Sequence, residues 1–222
     1  MNRGNCAQAA PIGILGGTFD PVHLGHLRPA IELLERLGLV EMRLVPGHLP
    51  PHRRTPRTPS QQRLRLLRCA VAGAAGLVVD DRELRRGGYS YTVDTLHELR
   101  AEVGGRPLCF VLGSDAFLGL PSWYRWRELE TLTHLVVVQR PGHDLRLGAE
   151  LTEWAAPRQV SDAAALHARR SGLVLYQETT ALPISASAIR RLIAQGRSAR
   201  FLMPDSVWQC IASEGLYGYP QV

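Results

Sequence analysis

The sequence predicts a doubly wound α/β fold with a mostly parallel sheet, and three observations lead there. Short, wholly apolar runs recur along the chain, stretches of helical periodicity separate them, and Gly, Pro or Asp closes each run. Apolar runs without alternation belong to strands buried on both faces, and right-handed crossovers through helices then wind the sheet in both directions. In such folds ligands collect at the carboxyl ends of the strands.

Taken in order, residues 11–15 form the first predicted strand, ending in Gly16-Gly17. Leu24, Leu27, Ile31, Leu33, Leu34 and Leu37 then take up helical spacing, so the pair reads as a glycine turn between strand and helix. Residues 40–45 are a second strand, stopped by Pro46-Gly47 and followed by a Pro/Arg-rich surface loop over 48–60. A helix over 61–75, a strand over 77–80 and a helix over 92–103 come next, the last entered from Gly87-Gly88-Tyr89-Ser90. Residues 108–112 are a fully apolar strand closed by Gly113-Ser114-Asp115, with helices expected over 116–120 and 126–132. A strand over 135–138 stops at Arg140-Pro141-Gly142, and 173–177 is the last clear strand. No motif is legible over 143–181, and the chain from Ser187 onward reads as mostly helical. The expectation is one domain over 1–222, with an α/β core over 10–183 and a small helical C-terminal portion over 184–222.

Composition narrows the class. A length of 222 residues with 45% hydrophobic content is enough for a full core. The formal charge of +6, carried by arginine, favours an anionic partner without choosing among nucleotide, nucleic acid and membrane. Aromatics are few and the arginines are scattered, so no basic aromatic face marks a nucleic-acid binder. Cys6, Cys69, Cys109 and Cys210 show no CxxC or zinc-finger spacing, which argues against a disulfide framework or a structural metal. Neither a signal peptide nor an apolar run of membrane-spanning length is present, and the expected location is the cytoplasm.

The chemistry concentrates at Gly16-Gly17-Thr18-Phe19-Asp20-Pro21-Val22-His23-Leu24-Gly25-His26. A glycine turn admits positive φ and lets backbone approach a phosphate, and the helix that follows aims amides at the same place. His23 and His26, three apart, share a helix face and can donate to phosphoryl oxygens whose charge grows in a transition state. The plain alternative is a turn whose histidines cap backbone groups. The order strand, GGTFDP, HxGH resembles the nucleotidylyltransferase superfamily, whose hallmark is GxFDPxHxGH, and implies its Rossmann-like fold. Ile184-Ser185-Ala186-Ser187-Ala188-Ile189-Arg190 is similar to the second superfamily signature, ISSTxIR. Ser185 and Ser187 suit an N-cap, and Arg190 can reach a phosphate. Ala186 and Ser187 depart from the usual Ser and Thr, though a hydroxyl remains at the capping position.

Within that superfamily the chain looks most like the bacterial-type nicotinate mononucleotide adenylyltransferases. The added residues are Pro50-Pro51-His52-Arg53, Ser90-Tyr91-Thr92, Gly113-Ser114-Asp115, Trp123-Tyr124 and Arg140-Pro141-Gly142. The resemblance implies that Gly16, Gly17, Thr18, Phe19, His23, His26, Gly113, Asp115, Ser185, Ser187 and Arg190 bind ATP. It also implies that Asp20, Arg53, Tyr91, Thr92, Trp123 and Tyr124 hold the mononucleotide, Trp123 by stacking. His23, His26 and Arg190 carry the catalytic expectation, with Mg²⁺ arriving on ATP and no metal ligated by the protein itself. Arg53 stands where family members commonly have Lys, a rigid fork in place of a point charge. Trp123 could equally be a packing aromatic, and Ser114 and Asp115 could merely cap a helix.

The implied reaction is in-line attack by the phosphate of nicotinate mononucleotide on the α-phosphorus of ATP. It gives nicotinate adenine dinucleotide and pyrophosphate, with no covalent enzyme intermediate. The expected partners are therefore ATP and nicotinate mononucleotide, not nucleic acid or membrane, and a homo-oligomer is left open. Competing readings are transfer to nicotinamide mononucleotide or phosphopantetheine on the same scaffold, and a nucleotide-sensing module without turnover.

Overall fold

The computed structural model describes residues 9–49, 56, 58–139 and 145–220. Seven strands form one sheet in the order β3-β2-β1-β4-β5-β7-β6: β1 Ile12–Gly17, β2 Glu41–Pro46, β3 Leu77–Val79, β4 Leu108–Gly113, β5 His134–Gln139, β6 Gln159–Val160 and β7 Val174–Glu178. Every pairing among them is parallel, one step beyond the mostly parallel sheet expected. The winding reverses between β1 and β4. Their register, with Leu15 opposite Val111, brings the ends at Gly17 and Gly113 side by side, which is where a doubly wound sheet opens a crevice.

The helices are α1 Leu24–Arg36, α2 Ser60–Val71, α3 Arg82–Arg86, α4 Thr92–Val103, α5 Ser114–Leu118, α6 Leu129–Leu132, α7 Ala149–Ala155, α8 Ala164–Ala168, α9 Ala186–Ala194 and α10 Asp205–Glu214. They cover both faces, and β4 shows why its sequence is unbroken apolar. Cys109 and Val111 point into one core cluster with Leu33 and Leu67, while Phe110 and Leu112 enter the other with Leu96 and Phe117. The C-terminal helices belong to the first cluster: Ile189, Ile193, Val207 and Ile211 are wholly buried there.

Four elements escaped the periodicity. Helix α3 buries Arg82 and Glu83 instead of an apolar stripe, because Arg82 pairs with Asp80 and Glu102 while Glu83 accepts from Thr95. Strand β6 is two residues long, and α7 and α8 lie in the stretch where no motif was legible. The helix expected over 116–120 starts at Ser114, directly off β4, and the one over 126–132 begins as a 3₁₀ turn at Trp126.

At the amino edge of the sheet the nearly buried Arg100 guanidinium donates to four backbone carbonyls, those of Gly104, Arg106, Leu132 and Arg170. These carbonyls belong to the segments that lead into β4, β5 and β7, so one planar fork aligns three strand entrances. Arg100→Met keeps the volume but strands the carbonyls. We expect a loss of at least about 3 kcal/mol, read as a lower urea midpoint at unchanged slope.

Candidate active site

The crevice is built from the β1 exit. Gly16 and Gly17 are not the positive-φ turn expected of them: both remain in β1, and the left-handed residue is Phe19, at φ 48°. Gly17 is small because the Phe19 ring folds back over it. A Cβ at residue 17 would stand 2.9 Å from Phe19 Cζ, whereas one at residue 16 would make ordinary contact with Phe110 at 3.7 Å. Asp20 and Pro21 are joined by a cis peptide bond, and His23 then caps α1 in extended conformation.

The His23 and His26 rings stack at 3.7 Å with their planes 26° apart, and the Phe19 ring meets His26 edge-on at 5.1 Å. The His26 Nδ1 accepts from the His23 backbone N–H at 3.3 Å, which leaves Nε2 as the nitrogen that carries the proton. His23 is buried, and its Nδ1 has no hydrogen-bond partner among the described residues. A buried orphan of this kind is costly unless something else meets it. Burial pushes the His23 imidazole down to about 4, and burial together with neighbouring His23 pushes His26 down to about 3. Both rings are therefore neutral at pH 7.

The segment that leads into α9 meets the start of α1 at Gly25. A Cβ there would lie 3.0 Å from His23 Nδ1 and 3.3 Å from the Ile184 carbonyl oxygen, so the HxGH glycine is where two backbones and an imidazole meet. Ser185 caps α9 by accepting from the Ala188 amide at 3.2 Å, and its hydroxyl lies 3.2 Å from that of Ser187. The Arg190 Nη1 donates to the Asp20 carbonyl at 2.5 Å, which ties the second signature to the first. The first amide of α1 is not open to a phosphate as expected: Leu24 N–H donates to the Leu202 carbonyl at 3.0 Å.

Across the crevice, Gly113 ends β4 with nothing near where a Cβ would stand, and Asp115 is exposed beside it. Neither Ser114 nor Asp115 serves as a cap, since Ser114 instead donates to the Val138 carbonyl at 2.9 Å. Trp123 is half-buried, edge-on to Phe110 at 6.3 Å, and Phe110 in turn touches Gly16. Tyr91 precedes α4 and meets the exposed Tyr124 at 4.7 Å, with Tyr89 on its other side, while Thr92 opens α4. Arg53 and the Arg140-Pro141-Gly142 turn lie outside the described residues.

Three residues of this region carried no signal in the sequence. The wholly buried Arg63 donates to the carbonyls of Thr18, Gly47 and His48, binding the exits of β1 and β2 together. The Tyr217 hydroxyl donates to the Asp20 carboxylate at 2.9 Å, so Asp20 is buried under the C-terminal segment. Glu83 is pushed up by burial, takes Thr95 Oγ1 at 2.6 Å, and sits against Gly47. Among the described residues no three His, Cys, Asp or Glu groups gather to hold a metal, and no helix is long and apolar enough to cross a membrane.

The depressed histidines have a sign. Unfolded imidazoles take protons near pH 6.5, and the folded pair resists until about pH 4. Stability is thus full above that range and falls as pH drops through it. Urea midpoints between pH 7.5 and 4.5 are expected to decline with up to two protons bound per unfolding event, and a His23→Asn, His26→Asn double variant should flatten that slope.

Known proteins resemble this chain in sequence and in fold. Residues 14–192 match the cytidylyltransferase-like family. A relative from Halorhodospira halophila, named a probable nicotinate-nucleotide adenylyltransferase, is 52% identical over 95% of this chain and 97% of its own. One of the same name from Aeromonas hydrophila is 51% identical over 93% and 97%. Among solved structures, the Plasmodium falciparum nicotinic acid mononucleotide adenylyltransferase complexed with NaAD shares the fold at TM-score 0.72 and 15% identity, covering 96% of this chain and 100% of that one. With residues 14–192 matched and half of its residues identical to those of full-length relatives, the chain belongs to the cytidylyltransferase-like family, among relatives named probable nicotinate-nucleotide adenylyltransferases.

Proposed function

We propose that the protein transfers the adenylyl group of ATP to nicotinate mononucleotide, forming nicotinate adenine dinucleotide and releasing pyrophosphate. The observation that carries this reading is the stacked His23 and His26 pair just past the end of β1, where Arg190 binds the Asp20 carbonyl, with Trp123 edge-on to Phe110 of the neighbouring β4. The names of the half-identical relatives support the choice of acceptor. The whole chain acts as one unit, since the C-terminal helices complete the site that β1 begins. Soluble nucleotide substrates fit the cytoplasm as its working place.

The attacking phosphate is already ionised, so the neutral imidazoles serve as donors and not as bases. His26, with its proton on Nε2, donates to the α-phosphoryl oxygens as their charge grows. Arg190, fixed in place by the Asp20 carbonyl, neutralises the departing pyrophosphate together with the serine-capped start of α9. Asp115 at the end of β4 lies within the reach of ribose hydroxyls, and Tyr91, Thr92, Trp123 and Tyr124 form the pyridine side. Arg53, outside the described residues, is assigned to the mononucleotide on the family resemblance alone. Mg²⁺, carried on the triphosphate, supplies charge neutralisation there.

His26→Ala is expected to lower kcat by roughly 10²–10³-fold while ATP affinity changes far less; a near-normal kcat would remove its assigned role. Pyrophosphate release measured with ATP and nicotinate mononucleotide, nicotinamide mononucleotide or phosphopantetheine in parallel should favour the first. Release with none of the three would overturn the reading. Trp123→Ala should raise the KM for the mononucleotide by about 10-fold with the KM for ATP unmoved.

A further inference from the structure

Cys69 on α2 and Cys210 on α10 are 141 residues apart in sequence, yet their sulfur atoms lie 3.2 Å from each other. Both are partly exposed, whereas Cys109 is buried within β4. Two sulfurs need approach by only about 1.2 Å more to reach a covalent S–S length, a shift that side-chain torsions can supply. The two helices are held together around the thiols. The Ser206 hydroxyl donates to the Cys69 carbonyl at 2.8 Å, and Arg65 pairs with Glu214 at 2.9 Å, so α2 and α10 are clasped on both sides of the thiols. Adenylyl transfer uses neither cysteine.

The turn after α10, Leu216–Gly218, links the thiol pair to the crevice, because it carries Tyr217, whose hydroxyl holds the Asp20 carboxylate at the start of the site. We infer that Cys69 and Cys210 are a reversible dithiol that closes to a disulfide under a peroxide or disulfide oxidant, stapling α10 to α2 and fastening the segment that positions Asp20. With hydrogen peroxide, one thiol sulfur attacks the O–O bond and becomes a sulfenic acid while one water leaves. The second sulfur then attacks the first, the S–S bond forms, and the sulfenic oxygen departs as a second water. Two thiols lose two electrons and two protons, and the peroxide accepts both. A dithiol reductant returns the pair by exchange.

The staple closes a long loop in the unfolded chain, so the oxidised protein should melt roughly 5–15 °C above the reduced one. The test is independent of the assigned reaction. Fully reduced protein, freed of reductant, is treated with hydrogen peroxide or oxidised glutathione, alkylated, digested without reduction and mapped by mass spectrometry. The expected product is one peptide pair joining Cys69 to Cys210, two hydrogens lighter than the separate peptides and released by dithiothreitol, from protein that stays monomeric on a non-reducing gel. C69S and C210S should each abolish both the linked peptide and the rise in melting temperature. Recovery of both cysteines alkylated overturns the inference. So does linkage mainly to Cys6, to Cys109 or to a second chain, or an oxidised form that melts no higher than the reduced one. If a serine variant fails to fold, the mapping and melting of the native sequence decide alone.

Discussion

The guanidinium of Arg63 is the contact on which the rest of the site depends. It is wholly buried and gives its hydrogen bonds to backbone carbonyls at Thr18, Gly47, His48 and Thr58. Those at Thr18, Gly47 and His48 belong to the two chain segments that leave β1 and β2 side by side. A planar five-donor fork can satisfy several carbonyls that diverge from one sheet edge, which an ammonium on a flexible stem cannot do with the same fixed geometry. Burial pulls the Arg63 pKa below its ordinary value, and its cost is met by those carbonyls together with the field of Asp20, Tyr217 and Glu83. With the Thr18 carbonyl pinned, Phe19 adopts its left-handed conformation over Gly17, and His23 arrives at the start of α1 in the one orientation that stacks on His26.

Arg100 performs the same service at the opposite edge of the sheet, gathering the entrances to β4, β5 and β7. One fork shapes where ligand meets the strands, and the other keeps the far ends in step. Between them the strands are apolar and need no polar specification of their own. The rigidity of the crevice therefore comes from side chains outside it, and its catalytic groups can stay few.

Much of this was legible in the sequence, for reasons visible residue by residue. The strands at β1, β4 and β5 were readable because burial on both faces leaves unbroken apolar runs, and α4 because Gly87-Gly88-Tyr89-Ser90 marks its entry. The histidine pair and Arg190 were readable through the resemblance of their segments to two superfamily signatures, and the structure joins those segments at Gly25 with Ile184 and at Asp20 with Arg190. Where polar groups do the burying, periodicity is silent: α3 hides Arg82 and Glu83, and Arg63 lies on a helix rich in arginines, nothing in whose pattern singles it out. The conformation of the glycine pair was misread because its smallness serves the Phe19 ring, a contact made across the turn and not within it. Tyr217 was missed because only tertiary folding returns it to Asp20.

That return has a consequence for the order in which the protein is made. Asp20 leaves the ribosome early, but the hydroxyl that holds it is encoded 197 residues later. At ordinary elongation rates that interval is about 10–40 s, during which the apolar sheet can form while the crevice at its edge stays unfinished. The contact that holds Asp20 therefore forms only once synthesis has gone past Tyr217.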